Sequence, residues 1–183
     1  MLKVWGRPYS SNVIPVIWTV NELGLKYDLM LAGGSFGKLD TDQYAEINPN
    51  RMIPAIQDGE FALWESLSII RYLSEEYGKG TLLPSDPQSK AIADQWMEWS
   101  ASKAFGPVIY LFFATVRTKP AERDEAKICQ IRLMFVGMSS QWVISRWDVL
   151  LIGISISMLN DQNFLMLRLG IKDCQKDLLT ENM

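Results

Sequence analysis

The sequence predicts an α/β domain, in the order βαβ-α-ββα, followed by an all-α segment. Three observations predict it. Residues 2–31 alternate strand, helix and strand signals. Residues 55–77 read as a hairpin followed by an apolar helix. A break rich in Gly, Pro and Ser at 78–87 then precedes tryptophans at helical spacing.

Leu2–Trp5 is a short, mostly apolar first strand. Gly6 to Asn12 is a loop of turn formers, including Pro8, Ser10 and Ser11. Val13, Val16, Ile17, Val20 and Leu23 recur at helical spacing. Pro15 fits only a first turn, where its missing N–H would be unpaired anyway, so the helix starts near Ser11 to Val13. Gly24 is its stop and Tyr27–Leu31 the second strand. Gly33-Gly34-Ser35-Phe36-Gly37-Lys38 is a flexible loop without phosphate-loop spacing. Asp40 to Ile47 reads as a short helix ending at Asn48-Pro49. Pro54 gives an X-Pro bond for which the cis form costs only about 0.5–1 kcal/mol. Asp58-Gly59 is a turn signal between Ala55–Ile56 and Phe61–Trp64. Leu67, Ile69, Ile70 and Leu73 then mark a helix that Glu65-Ser66 opens.

Two places in this order suit an anion. A helix start carries unpaired N–H groups and partial positive charge. Ser66 stands at one such start, with Glu65 beside it to accept from an ammonium group. Ser10, Ser11 and Asn12 stand at the other, where a hydroxyl could lower a thiol pKa by donating to the thiolate. The plain alternative is that Ser66, Ser11 or Asn12 only caps its helix. Lys38 is either a ligand contact or a solvated loop lysine.

These residues carry a resemblance. Asn48-Pro49-Asn50-Arg51, then Pro54, a hairpin, Glu65-Ser66 and an apolar helix resemble the glutathione-binding half of the cytosolic glutathione transferases. Arg7, Ser10, Asn12 and Val13 are similar to the first loop of the bacterial and theta-like, serine-type members. The resemblance implies a thioredoxin-like domain over 1–77, a linker over 78–87 and an all-α domain over 88–183. Glutathione is then a co-substrate. Ile53 pairs its backbone with the cysteinyl part beside cis-Pro54, and Glu65 and Ser66 hold the γ-glutamyl end. Arg51 and Lys38 lie near the glycyl carboxylate. Ser10 is the catalytic serine, Asn12 a second donor and Ser11 the alternative. No Cys occupies this loop, which disfavours the thiol-transfer branch. The resemblance also implies a homodimer and a hydrophobic electrophile, with Phe105, Tyr110, Phe113 and Arg117 as candidates for the pocket wall. Ordinary packing explains those aromatics equally well. A glutathione-binding or dimerisation module without catalysis, or a glutathione-dependent isomerase or dehalogenase, are the rival readings.

Composition narrows the chemistry. The 183 residues contain no histidine, which excludes Ser-His and Cys-His nucleophiles and His-based zinc sites. No metal is expected. A net charge of −3 gives no reason to expect nucleic acid or an acidic membrane as partner. No apolar run long enough to span a bilayer and no leader pattern stands out. The two cysteines, Cys129 and Cys174, form no Cys-x-x-Cys, and a reducing cytoplasmic setting is expected. From about Cys129 the resemblance stops. The tail is rich in Met, Ser, Ile and Trp without steady periodicity, so the all-α domain is expected to be incomplete or atypical there.

Overall fold

The computed structural model describes residues 1–139, with side chains described through 134. The first unit, Met1–Asp94, is built on a four-stranded sheet in the order β2-β1-β3-β4. Its elements are β1 (Leu2–Trp5), α1 (Ile14–Glu22), β2 (Tyr27–Met30), α2 (Asp42–Ile47), β3 (Ala55–Asp58), β4 (Phe61–Trp64) and α3 (Ser66–Tyr77). This is the thioredoxin-like order that the sequence predicts. β1 and β2 are parallel, as a helical crossover requires, with Val4 opposite Leu29. β3 runs antiparallel to β1 and β4, with Val4 opposite Ile56 and Ile56 opposite Leu63.

The period of two along each strand divides the core. Trp5 and Ala55 join Tyr44 and Ile47 of α2 and Ala32 in one buried cluster. The Trp5 and Tyr44 rings meet edge-on at 5.7 Å, and Trp5 Nε1–H donates to Gln57 Oε1 at 2.9 Å. Their strand neighbours Val4 and Ile56 are fully buried, as are Val16 and Val20 of α1 and Ile69 and Leu73 of α3, the two helices that pack together.

Local chemistry sets the ends. α1 begins at Ile14 with Pro15 in its first turn. Gly24 stops it at φ +64, a left-handed conformation that glycine adopts without a Cβ clash. Thr41 caps α2, its hydroxyl accepting from Tyr44 N–H at 3.2 Å. The hairpin differs from expectation. β3 extends to Asp58, which pairs with Phe61, so the link is Gly59-Glu60 rather than Asp58-Gly59. Gly59, at φ +60, takes the first linking position, where a primed turn requires this freedom. Asp58 instead accepts from two tyrosines of α3, Tyr72 at 2.9 Å and Tyr77 at 2.5 Å, through one oxygen.

α4 (Pro87–Trp99) leads into the second unit, which begins at Gln95. A π-helical turn, Ser100–Ala104, joins it to α5 (Phe105–Phe112), and a second, Phe113–Arg117, continues α5. Gly106 and Pro107 therefore do not break the run; the helical winding changes just before them. Pro107 follows directly on the π-helical turn, the kind of local change in winding that accommodates a residue without an N–H inside a continuous helix. Arg123 closes this run, donating to the carbonyls of Thr115 at 2.7 Å and Thr118 at 3.2 Å. α6 spans Glu125–Ser139, so the first residues after Cys129 are helical although their sequence shows no steady period. The rest of the expected atypical tail, Cys174 included, lies outside the described residues.

Ile69 is fully buried in the first unit. Ile69→Ala is expected to cost about 2–5 kcal/mol through lost transfer energy and a residual cavity. Urea unfolding of the variant beside the parent checks this.

Candidate functional site

Three elements of the first unit carry the candidate residues. The first is the turn before α1. Ser10 N–H donates to the Arg7 carbonyl at 3.1 Å, and the Ser10 carbonyl accepts from Val13 at 2.9 Å and Ile14 at 3.0 Å. These main-chain bonds pair the N–H groups of Val13 and Ile14. Val13, not Ser11 or Asn12, occupies the cap position, and no side chain caps it. The half-buried side chains of Ser10, Ser11 and Asn12 are thus not used as helix caps.

The second element is the segment 48–54. Asn48 is almost wholly buried and uses its amide at both ends. Its Oδ1 accepts from Asn50 N–H at 2.9 Å, and its Nδ2 donates to the Met52 carbonyl at 2.8 Å. The Tyr44 hydroxyl donates to the same carbonyl at 2.6 Å. Two buried donors therefore hold the residue before Ile53. The Ile53–Pro54 bond is cis. Among the described residues, neither the N–H nor the C=O of Ile53 enters a loop or turn hydrogen bond. Arg51 braces the neighbouring loop: its Nη1 donates to the Leu39 carbonyl at 3.1 Å and the Thr41 carbonyl at 3.4 Å, with Asp42 at 4.0 Å.

The third element is the start of α3. Glu65 occupies the cap position and Ser66 opens the helix, again without a side-chain cap bond. The first helical bond runs from Ile69 N–H to the Glu65 carbonyl at 2.9 Å, so the N–H groups of Ser66, Leu67 and Ser68 lie in the turn that lacks helical partners. Glu65 is exposed and Ser66 half-buried.

Backbone conformation links these candidates. Among the described residues, three that are not glycine have positive φ: Lys38 at +71°, Arg51 at +53° and Glu65 at +69°. Each such conformation costs of order 1–3 kcal/mol and is held in place by its surroundings. All three are candidates from the sequence. Tyr44 and Asn48 were missed there. The Asn48-Pro49 pair is a turn signal that points to Asn48, whereas nothing local marks Tyr44 as a donor.

The pocket-wall candidates belong to the second unit. Tyr110 and Phe113 line a small cavity of about 170 Å³ with Ala114, Thr118 and Arg123. Phe105 and Arg117 are exposed and do not line it. Lys127 Nζ stands 4.2 Å from the centre of the Tyr110 ring. Among the described residues, no group of three His, Cys, Asp or Glu side chains is placed to hold a metal, and no helix is long and apolar enough to cross a membrane.

Comparison with known proteins agrees with this frame. The family model of the glutathione S-transferase N-terminal domain matches residues 5–82. Glutathione S-transferase GstB of Escherichia coli is 38% identical over 130 residues, covering 70% of this chain and 62% of that protein. Glutathione S-transferase D6 of Drosophila melanogaster is 30% identical over 125 residues, covering 67% of this chain and 58% of that protein. The chain thus spans about three fifths of the length of these curated relatives. A theta class glutathione S-transferase from Xanthomonas axonopodis pv. citri, crystallised with glutathione, superposes with a TM-score of 0.66 at 39% identity, covering 76% of this chain and 67% of that one. The fold is that of the thioredoxin-like N-terminal domain of these transferases. The chain belongs to the glutathione S-transferase family.

Burial pushes the Tyr44 phenol up from 10.0 to about 12. Tyr72 is pushed up by burial and by its bond to Asp58, and Tyr77 by the Asp58 bond and by burial. A group that holds its proton more tightly when folded adds stability below its unfolded pKa and loses it as pH rises through the folded value. Stability is therefore expected to fall between about pH 10 and 12. Tyr44→Phe is expected to flatten part of that fall and to cost about 1 kcal/mol at neutral pH, since Met52 keeps only one donor. Chemical denaturation across pH 7–12 measures both.

Proposed function

We propose that the chain is a glutathione transferase that joins the glutathione sulfur to a hydrophobic electrophile. The single observation that carries the reading is the Ile53 main chain, which enters no loop or turn hydrogen bond while Tyr44 and Asn48 hold the preceding Met52, in a chain whose Glu65-Ser66 helix start and Ser10 turn keep side chains out of capping. In this reading Ile53 pairs its free N–H and C=O with the cysteinyl backbone. Ser66 and the α3 N-terminus receive the γ-glutamyl carboxylate, and Glu65 receives its ammonium group. Ser10 donates its hydroxyl hydrogen to the sulfur, with Asn12 as second donor and Ser11 as the alternative. That bond favours the thiolate over the thiol. The proton leaves to solvent. The thiolate then attacks the electrophilic carbon and forms a C–S bond. A leaving group departs in substitution, and none departs in addition. The protein supplies alignment and charge stabilisation, while the nucleophile comes from the tripeptide.

Residues 1–77 are assigned to glutathione, 78–87 to the linker and the helices from 88 to the electrophile. Tyr110 and Phe113 are the wall candidates that face a cavity. The proposal includes a cytoplasmic homodimer, as the family resemblance implies. The Xanthomonas relative was crystallised with glutathione bound, which supports the same ligand here.

Ser10→Ala is expected to lower kcat about tenfold or more, the worth of one donor to the thiolate, while glutathione still binds. Steady-state conjugation and calorimetric titration with glutathione check the two halves. Unchanged kcat would transfer the role to Ser11 or Asn12. Retention on immobilised glutathione without any conjugation would favour a binding module instead.

A further inference from the structure

Arg7 is the one charged side chain of the Ser10 turn, and the proposed mechanism does not use it. Its Nε is buried and has no hydrogen-bond partner. Among the described residues no carboxylate forms an ion pair with it. Its nearest aromatic support is Tyr9, with the ring centre 5.5 Å from the guanidinium carbon. A half-buried charge with an orphaned donor is costly unless something meets it. Arginine's planar fork suits a carboxylate, which can accept two parallel bonds.

The fork has a defined neighbour on the loop after β2. Gly34, at φ +60, lies directly against it: a Cβ there would overlap Arg7 Nη1. Gly33, next in the chain, lies against Ile53, whose Cδ1 would be 3.0 Å from a Cβ at that glycine. Two adjacent glycines therefore lie one against Arg7 and one against the side chain of Ile53, whose backbone the proposed function assigns to the cysteinyl part. In glutathione the glycyl carboxylate lies one residue beyond that backbone, roughly 3.5 Å of extended chain. The other two cations near this loop are less suited to it. Arg51 spends Nη1 on the Leu39 and Thr41 carbonyls, and Lys38 is exposed.

We propose that Arg7 binds the glycyl carboxylate of glutathione through the guanidinium edge that overlies Gly34. This rests on the glutathione reading given above and names a residue for the one end of the tripeptide that Glu65, Ser66 and Ile53 leave unheld. The two bare glycines then have a physical role, since side chains there would displace the guanidinium and crowd Ile53.

The test compares glutathione with its glycyl monoethyl ester, which keeps the thiol and the γ-glutamyl end and loses only the glycyl charge. Titration calorimetry on the full chain is expected to show glutathione binding about tenfold tighter than the ester, the size of one charge-assisted pair. Arg7→Met is expected to bind both alike, at the ester's level, and Arg7→Lys to keep part of the preference. Gly34→Ala, which displaces the guanidinium without removing its charge, is expected to reduce the preference as well. A ratio between two ligands is insensitive to a general loss of folded protein, and melting curves accompany each variant. The proposal is overturned if the parent binds both ligands alike or if Arg7→Met keeps the tenfold preference. It is equally overturned if Lys38→Met, rather than Arg7→Met, removes the preference. A raised thiol pKa in Arg7→Met with the preference intact would assign the guanidinium to the sulfur and overturn it too. If the parent binds neither ligand, the glutathione reading itself fails and takes this proposal with it.

Discussion

Two buried donors on one carbonyl oxygen determine where the Ile53–Pro54 peptide lies. The Tyr44 hydroxyl and the Asn48 amide both meet the Met52 carbonyl. Neither donor has water as an alternative, because both side chains are almost fully buried. Leaving either unpaired would cost its desolvation penalty, so α2 and the segment 48–54 are held in one arrangement. Tyr44 also packs edge-on against Trp5 of β1. The proposed ligand peptide is thereby referenced to the centre of the sheet rather than to a free loop.

The remaining geometry follows from how the helices start. Ser, Thr, Asp and Asn are the preferred side chains for capping the first turn of a helix. At α1 and α3 the side chains beside the start do no capping. At α1, main-chain bonds to the Ser10 carbonyl take over. At α3, Glu65 is held at positive φ in the cap position. Hydroxyls and a carboxylate that would normally serve the backbone are left for something else. α2 provides the contrast within the same domain, since Thr41 caps it in the ordinary way.

Much of the first unit was legible in the sequence because its signals are local. Spacing of apolar residues placed α1 and α3, and Gly24 marked the end of α1. The hairpin shows the limit of such reading. Asp58-Gly59 is a strong turn pair, yet Asp58 is drawn into β3, where it pairs with Phe61 and accepts from Tyr72 and Tyr77 of α3. A carboxylate with two distant donors outweighs the turn preference of a dipeptide. Pro107 shows a similar override: helical winding shifts around it instead of breaking.

Residue order by itself determined the βαβ-α-ββα succession, the Pro54 position and the serines and Glu65 at two helix starts. Each of these depends on neighbours a few positions away, through propensity, periodicity and fixed φ. Tertiary structure alone decided that Arg51 would brace its own loop and that Tyr44 would hold Met52. It alone also set the Arg7 guanidinium over Gly34 with a buried, unpaired nitrogen. Those outcomes depend on which groups lose water together when distant segments pack, and no local spacing encodes that.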